Sequence, residues 1–187
     1  ASSGPGSQFA LAESSGPTPP ILQGWLHYDA ASALFAAAGM DLVKQRRLAR
    51  RDDFSAFELP QTSLSASFNV SMEKIESQNV LARLPGHSQA DEILMVSSHW
   101  DAYGQGEPDS SGRTVRPGAN DDALGTAGVI ELARVLKAGE PMARSVVFAA
   151  WTAEEAGLLG SAAYAAKPIY PLHSTVANFT LDILQTA

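Results

Sequence analysis

Four short segments place acidic side chains or a histidine just after an apolar run or at the start of a helical pattern. They are residues 99–101 (His-Trp-Asp), 118–122 (Gly-Ala-Asn-Asp-Asp), 154–155 (Glu-Glu) and Asp182. The chain has no cysteine, so any metal ion must be held by His, Asp and Glu. Nitrogen and oxygen donors without sulfur suit Zn²⁺ or a related divalent ion in a catalytic site. Two such ions sharing a carboxylate would activate water, so the chemistry indicated is metal-assisted hydrolysis.

His99 and Asp101 follow the apolar run at residues 92–98. In an extended segment, residues two apart point the same way. Asp101 is therefore placed to orient the His99 imidazole and fix its tautomer. The alternative is a plain surface pair with no ligand.

Adjacent acidic pairs occupy two of the segments. Asn120, Asp121 and Asp122 stand at the start of a helical pattern, where a helix cap is the simplest reading. Two neighbouring Asp residues exceed what a cap requires, so a metal role is the second reading. Glu154 and Glu155 are either a charged helix start or two groups with separate tasks. In the second case one carboxylate binds a cation and the other acts as general base.

Asp182 lies inside an apolar stretch, residues 179–184. A carboxylate in a buried strand is costly unless it is paired, hydrogen-bonded or metal-bound. This residue is therefore the hardest of the candidates to explain without a partner.

The elements that must position these residues follow from hydrophobic patterning. The patterns predict strands at residues 64–70, 79–84, 92–98, 145–151 and 176–184, and helices at 30–38, 121–138 and 157–166. Strands that alternate with helices indicate an α/β sandwich with a largely parallel sheet. Ligands bind beyond the carboxyl ends of such strands, which is where the four segments lie.

Length and charge limit the remaining possibilities. The chain has 187 residues, with 13 Lys and Arg against 20 Asp and Glu, giving a net charge of −7. This acidic balance argues against nucleic-acid binding. No apolar run approaches the roughly 20 residues of a membrane helix. We expect a flexible tail at residues 1–20, a small unit at 21–60 with a solvated helix and loop at 41–53, and a main domain at 61–187.

The four segments together resemble a known family. SSHWDAYG, PGANDDALGTAGVIELAR, VVFAAWTAEEAGLLGSAAY and NFTLDIL look like the M28 family of zinc metallopeptidases, whose members are mostly aminopeptidases. The resemblance covers about residues 64–187. It implies a three-layer α/β sandwich with a mixed, largely parallel sheet of the zinc-peptidase, phosphorylase/hydrolase-like type, here lacking its last elements. Residues 21–60 more weakly resemble the end of a protease-associated domain.

The resemblance also implies ligands for two zinc ions. His99 would bind one zinc ion, and Asp121 would bridge both. Asp182 and Glu155 would each bind one ion, on opposite sides. The peptide bond between Asp121 and Asp122 would be cis.

Two further roles are implied by the same resemblance. Asp101 would orient His99 behind the metal. Glu154 would be the general base that takes a proton from the metal-bridging water.

One departure concerns the second zinc ion. The family has a further His ligand downstream of the Asp182 equivalent, and this chain ends at Ala187. We assign no ligand role to His27, His87 or His173. We therefore expect weak or absent binding of the second ion. We also expect an unprotected sheet edge that associates with a missing C-terminal segment or a second copy of the chain.

The leading hypothesis is a zinc-dependent aminopeptidase that removes N-terminal residues from peptide substrates. A catalytically incompetent fragment or binding module with the same fold is the first alternative. A single-zinc glutaminyl cyclase or carboxypeptidase-type relative is the second. Members of the family are often secreted or periplasmic, so we expect one of these locations.

Overall fold

The computed structural model describes residues 9–12, 24–63, 65–67, 69 and 71–184. These residues form two compact units. Described residues of Ser15–Glu73 belong to the first, and those of Gln8–Ser14 and Lys74–Ala187 to the second. Among them, no helix combines the length and apolar character that crossing a membrane requires. Most of the tail predicted at residues 1–20 lies outside the described residues, and the predicted domain boundaries stay predictions.

Two helices, α1 (Tyr28–Ala37) and α2 (Leu42–Leu48), supply the regular structure of the first unit. The alanine-rich run predicted to be helical falls largely within α1. The Asp41 side chain caps α2 because its Oδ1 accepts the Lys44 amide at 2.7 Å. Neither helix has a buried residue, which agrees with the solvated helix expected in this region.

A four-stranded sheet forms the centre of the second unit. In chain order the strands of this unit are β1 (Val80–Leu84), β2 (Gln89–His99), β3 (Gly104–Gln105), β4 (Val115–Arg116), β5 (Arg144–Trp151) and β6 (Thr175–Thr180). The sheet order is β1-β5-β2-β6, and β3 pairs separately with β4. Strand β2 runs parallel to β5 and β6, whereas β1 is antiparallel to β5. The predicted mixed, largely parallel sheet is confirmed.

Helices α3 (Leu124–Ala138) and α4 (Leu159–Ala166) each pack on a separate core of this sheet. One core joins Val129 of α3 to buried side chains of β2 and β5, which are Val96, Val146 and Phe148. The other joins Tyr164 of α4 to Ile93, Met95, Val147, Ala149 and Trp151. Because β2 and β5 contribute to both cores, their centres are continuously apolar. The described residues therefore form the expected three layers.

The alternating segment at residues 64–70 departs from the prediction. Residues 65–67 and 69 are not in a strand and are exposed, while Leu64, Phe68 and Val70 lie outside the described residues. Alternation reports only a local pattern, whereas a strand also needs a neighbour to pair with.

Two other elements are shorter than their patterns predicted. Strand β6 ends at Thr180 rather than residue 184, and the amide of Leu181 makes the last bond to Ser97, at 2.7 Å. Helix α3 starts at Leu124 rather than residue 121, because Asp121 and Asp122 have non-helical backbone angles. Strand β6 thus ends shortly before Asp182, whereas α3 begins shortly after Asp121.

Candidate active site

His99 stands at the carboxyl end of β2. It is paired with Trp151, the last residue of β5, and β6 ends close by at Thr180, opposite Ser97. Parallel strands end at one edge of a sheet, so the residues that follow them gather around His99. The imidazole is enclosed there, with 2% of the side chain exposed.

Three carboxylates approach one nitrogen of this ring. The Nε2 atom of His99 lies 2.9 Å from Asp121 Oδ1. Glu154 Oε2 and Asp182 Oδ1 are each 3.8 Å from the same nitrogen. The structure thus brings together candidates from four separate segments of the sequence. Glu155 shares the turn of Glu154 and lies beside the Tyr103 hydroxyl.

Asp101 approaches the His99 ring through both its main chain and its side chain. The His99 Nδ1 atom is 3.0 Å from the main-chain carbonyl oxygen of Asp101, whereas the carboxylate is 3.6 Å away. That carboxylate instead accepts the amides of Glu154 and Glu155, at 3.0 and 3.2 Å. The carboxylate is nevertheless within ion-pair distance of the ring, so the predicted role of Asp101 in orienting His99 stays a prediction. Both carboxylate oxygens are already used by the turn that follows β5.

Asp122 is a buried part of the site that the sequence analysis did not assign. It is 1% exposed, and its carboxylate accepts the amides of His99 and Gly125 at 3.1 and 3.0 Å. The bond to Gly125, three residues on, is the contact a helix-capping side chain makes. The peptide bond from Asp121 to Asp122 is cis, as the resemblance implied. The sequence feature that could have indicated a role for Asp122 is the pair of neighbouring Asp residues, because a helix cap requires only one.

The pKa values of the site residues are shifted by burial and by the several carboxylates around the His99 imidazole. Burial opposes the charged form of His99, but the hydrogen bond to Asp121 and the charges of Glu154 and Asp122 outweigh it, so the pKa of His99 is raised. Burial raises the pKa of Glu154, and neighbouring Asp182 adds to the effect. Burial likewise raises the pKa of Glu155. Paired carboxylates in such surroundings are a recognised mark of functional sites.

A cavity of about 330 Å³ opens beside the cluster. His99, Glu154 and Asp182 are among the residues that line it. Its lining also includes apolar and aromatic residues, namely Met95, Trp151, Leu158, Tyr164 and Leu172. A mainly apolar cavity with a few convergent polar groups is the usual form of a small-molecule site.

Residues 79–187 match the peptidase family M28. This match spans more than half of the 187-residue chain and contains all four of the segments described above. The chain belongs to peptidase family M28. Its α/β fold is therefore that of an M28 chain.

The chain is similar to aminopeptidase YwaD of Bacillus subtilis, with 36% identity over 113 residues, or 59% of this chain and 22% of that protein. An aminopeptidase of Pseudomonas aeruginosa is 34% identical over 107 residues, or 57% of this chain and 18% of the relative. A solved zinc aminopeptidase from Bacillus subtilis is similar with 34% identity and a TM-score of 0.48, covering 59% of this chain and 25% of that one. The chain thus spans about a fifth of the length of these curated relatives.

The donor set of this M28 site fits a divalent cation. Oxygens of Asp122 and Asp182 and a ring nitrogen of His99 all lie within 4.8 Å of one another. Both Asp122 oxygens already accept amides, so Asp121, at 2.9 Å from the ring, is the better placed ligand. A buried oxygen of Glu155, Oε1, has no hydrogen-bond partner among the described residues.

The excess of negative charge at the site also favours a bound cation. Among the described residues, no Lys or Arg forms a salt bridge with these carboxylates. The side chains of Asp121, Glu154 and Asp182 are 26–38% exposed, so the accumulation of negative charge, rather than full burial, is what favours a bound cation here. The residues that could hold a metal ion are His99, Asp121, Glu155 and Asp182.

Proposed function

We propose that this chain carries the active site of a zinc-dependent aminopeptidase that hydrolyses the first peptide bond of its substrates. The observation that supports this most directly is the approach of Asp121, Glu154 and Asp182 to one nitrogen of His99, within 2.9–3.8 Å. Membership of M28, a peptidase family, supports the same proposal.

The residues that would hold zinc are His99, Asp121, Glu155 and Asp182. Zinc bound there would polarise the scissile carbonyl and lower the pKa of a bound water. The imidazole offers Nε2, because Nδ1 faces the Asp101 carbonyl oxygen at 3.0 Å. This contact fixes which nitrogen is free to coordinate, as partners behind metal-binding histidines commonly do.

Glu154 is the proposed general base. Its carboxylate lines the cavity, and burial raises its pKa above the ordinary value for glutamate. A base is most effective when its pKa lies near the working pH. The bond from its amide to the Asp101 carboxylate holds the Glu154 main chain in place, so the carboxylate can take a proton from water and return it to the leaving amine.

The cavity supports a peptide with a free amino terminus as the substrate. Carboxylates in its lining attract a protonated amine, and charge-assisted hydrogen bonds of this kind are the stronger ones. The aromatic and aliphatic residues of the lining, Trp151 and Leu158 among them, can contact the side chain of the first residue.

Hydrolysis of chromogenic amino-acid amides tests the proposal. We expect turnover that stops on chelation and returns with added zinc. N-blocked peptides should not be cleaved. Cleavage of N-blocked peptides or cyclisation of N-terminal glutamine would favour a carboxypeptidase-type or glutaminyl cyclase-type relative. Zinc binding without turnover of any of these substrates would favour a binding module.

We also propose that β6 associates with another polypeptide, either a C-terminal segment or a second copy of the chain. Among the described strands, β6 pairs only with β2. Its Val176 and Phe179 side chains are 50% and 56% exposed. An open edge with apolar side chains invites pairing. A secreted or periplasmic location stays a prediction.

A further inference from the structure

The main chain of His99 lies where the sheet no longer supplies partners on one side. Strand β6 pairs with β2 only as far as Ser97, and the last bond comes from the Leu181 amide. Buried amide and carbonyl groups beyond this point need other partners, because leaving them unpaired is costly. His99 is 2% exposed, so water does not readily replace them.

Side chains at the start of α3 supply both missing partners. The carboxylate of Asp122 accepts the His99 amide at 3.1 Å. The hydroxyl of Thr126 donates to the His99 carbonyl oxygen at 2.8 Å. The peptide groups on both sides of the His99 α-carbon are therefore held by one short segment, residues 122–126.

This segment is itself held in place. The second oxygen of Asp122 accepts the Gly125 amide at 3.0 Å, and Thr126 Oγ1 lies 3.2 Å from Ser98 Oγ. A β-carbon at Gly125 would collide with the Asp122 carboxylate and with the Leu181 carbonyl oxygen. The contacts around Asp122 thus leave little room for it to move.

The same segment continues directly from Asp121. Its carboxylate contacts the His99 ring at 2.9 Å, while the neighbouring Asp122 holds the His99 main chain. Two proposed ligands are thereby fixed relative to each other through residues that bind no metal. Ligands held in advance lose less freedom on binding, so affinity depends on such contacts.

We infer that Asp122 and Thr126 are positioning residues that hold His99 against Asp121 and thereby set the metal affinity of the site. This inference rests on the proposed function, because it takes His99 and Asp121 as ligands. Asp122 acts through its two amide contacts and Thr126 through its hydroxyl.

The test compares Thr126→Val with Thr126→Ser. Valine keeps the shape of threonine and removes the hydroxyl, whereas serine restores it. Loss of contacts behind a metal ligand typically lowers affinity by about 10- to 100-fold, so we expect weaker Zn²⁺ binding of this order in Thr126→Val. Thr126→Ser should bind Zn²⁺ like the wild type. The absorption spectrum of bound Co²⁺ should change in Thr126→Val and be restored in Thr126→Ser.

Ser145→Ala is the matched control for lost stability. Ser145 is fully buried on β5, and its hydroxyl donates to the Ala90 carbonyl oxygen at 2.6 Å. It lies near the end of β5 opposite Trp151. We expect Ser145→Ala to lower the unfolding temperature while leaving the Zn²⁺ affinity and the Co²⁺ spectrum unchanged. Asp122→Ala should lose affinity further, and the threonine pair decides the matter if that variant does not fold.

Each outcome separates the inference from the proposed function. Equal Zn²⁺ affinity and identical Co²⁺ spectra in the wild type and Thr126→Val would overturn the positioning role alone. Zinc binding that follows the expected ranking without peptide hydrolysis would overturn only the aminopeptidase activity. A wild-type chain that binds no Zn²⁺ would overturn both.

Discussion

The carboxylate of Asp101 accepts the main-chain amide of Glu154 at 3.0 Å. Its other oxygen accepts the next amide, that of Glu155, at 3.2 Å. The segment after β2 is thus tied to the turn after β5, and the proposed base and a proposed ligand are held by the residue whose carbonyl oxygen contacts the His99 ring.

Replacing Asp101 by asparagine tests this tie. One amide would then face an NH₂ group instead of an oxygen, so the Glu154-Glu155 turn loses an acceptor. We expect turnover to fall about 10- to 100-fold, the usual effect of removing a support behind a metal site. Asp91→Asn, at the opposite end of β2 from His99, is the charge-matched control and should keep its activity. Equal kcat/KM in the two variants would contradict the role of Asp101.

Substitution of Glu154 and of Glu155 should have different effects on zinc content and on turnover. Glu154→Gln should keep bound zinc and lose most turnover, since general base catalysis contributes about 10²–10⁴-fold. Glu155→Gln should lose metal as well, because its buried Oε1 atom is a proposed ligand. Zinc content by mass spectrometry and kcat measured on the same samples check this. Full zinc occupancy in both variants would show that the two roles are assigned wrongly.

Zinc affinity should fall on acidification at a higher pH than an ordinary histidine would cause. The pKa of His99 is raised, because Asp121 and nearby carboxylates outweigh the effect of burial. Protons therefore compete with zinc for this ring up to a higher pH. In chelator-treated protein the protonated ring stabilises the fold below the unfolded-state pKa, and this stabilisation is lost as the pH rises through the folded-state pKa. Titration of the His99 ring by NMR, with zinc affinity measured across the same pH range, checks both statements. A folded-state pKa at or below the ordinary value would contradict them.

Gly125→Ala should destabilise the chain and weaken metal binding. The added β-carbon meets the Asp122 carboxylate and the Leu181 backbone, neither of which can move freely. Gly128→Ala in the same helix is the matched control. Its β-carbon meets only the ends of leucine side chains, and the gain in helix propensity is up to about 1 kcal/mol. In urea unfolding, the free energy of unfolding should therefore change in opposite directions in the two variants, or fall much more in Gly125→Ala. Similar losses of unfolding free energy in both variants would contradict the proposed collision of a β-carbon at Gly125 with Asp122 and Leu181.

The open edge of β6 predicts concentration-dependent association. We expect sedimentation velocity to show species larger than the 19.7 kDa chain. Val176→Lys should shift the distribution towards monomer, because a charge on an edge strand discourages pairing. Val80→Lys is the control. Val80 is an exposed valine on β1, at the opposite edge of the four-stranded sheet from β6, and its replacement should leave the distribution of species unchanged. A single monomeric species at all concentrations would contradict the proposed association.

Much of the fold followed from patterning, because β2 and β5 are continuously apolar and α3 has clear helical spacing. The convergence of His99, Glu154 and Asp182 followed from their places at or just after the ends of predicted strands, and that of Asp121 from its place at the start of a predicted helix. The contacts of Asp101 and Asp122 could not be predicted in the same way. A sequence shows that a carboxylate is present, but its partners depend on which backbone amides the fold leaves unpaired nearby. The segment at residues 64–70 failed for a related reason, since alternation says nothing about an available neighbour.

Most of the hydrogen bonds that frame this site run through the main chain rather than through the groups proposed to coordinate. Atoms of the His99, Asp101, Glu154 and Glu155 peptide groups carry them. Apart from the one to the His99 ring, these hydrogen bonds therefore do not depend on which side chain the coordinating positions carry. Exchanging a coordinating side chain for another of similar size should alter ion preference before it alters architecture, which makes this edge of the sheet a practical scaffold for retuning towards other metals.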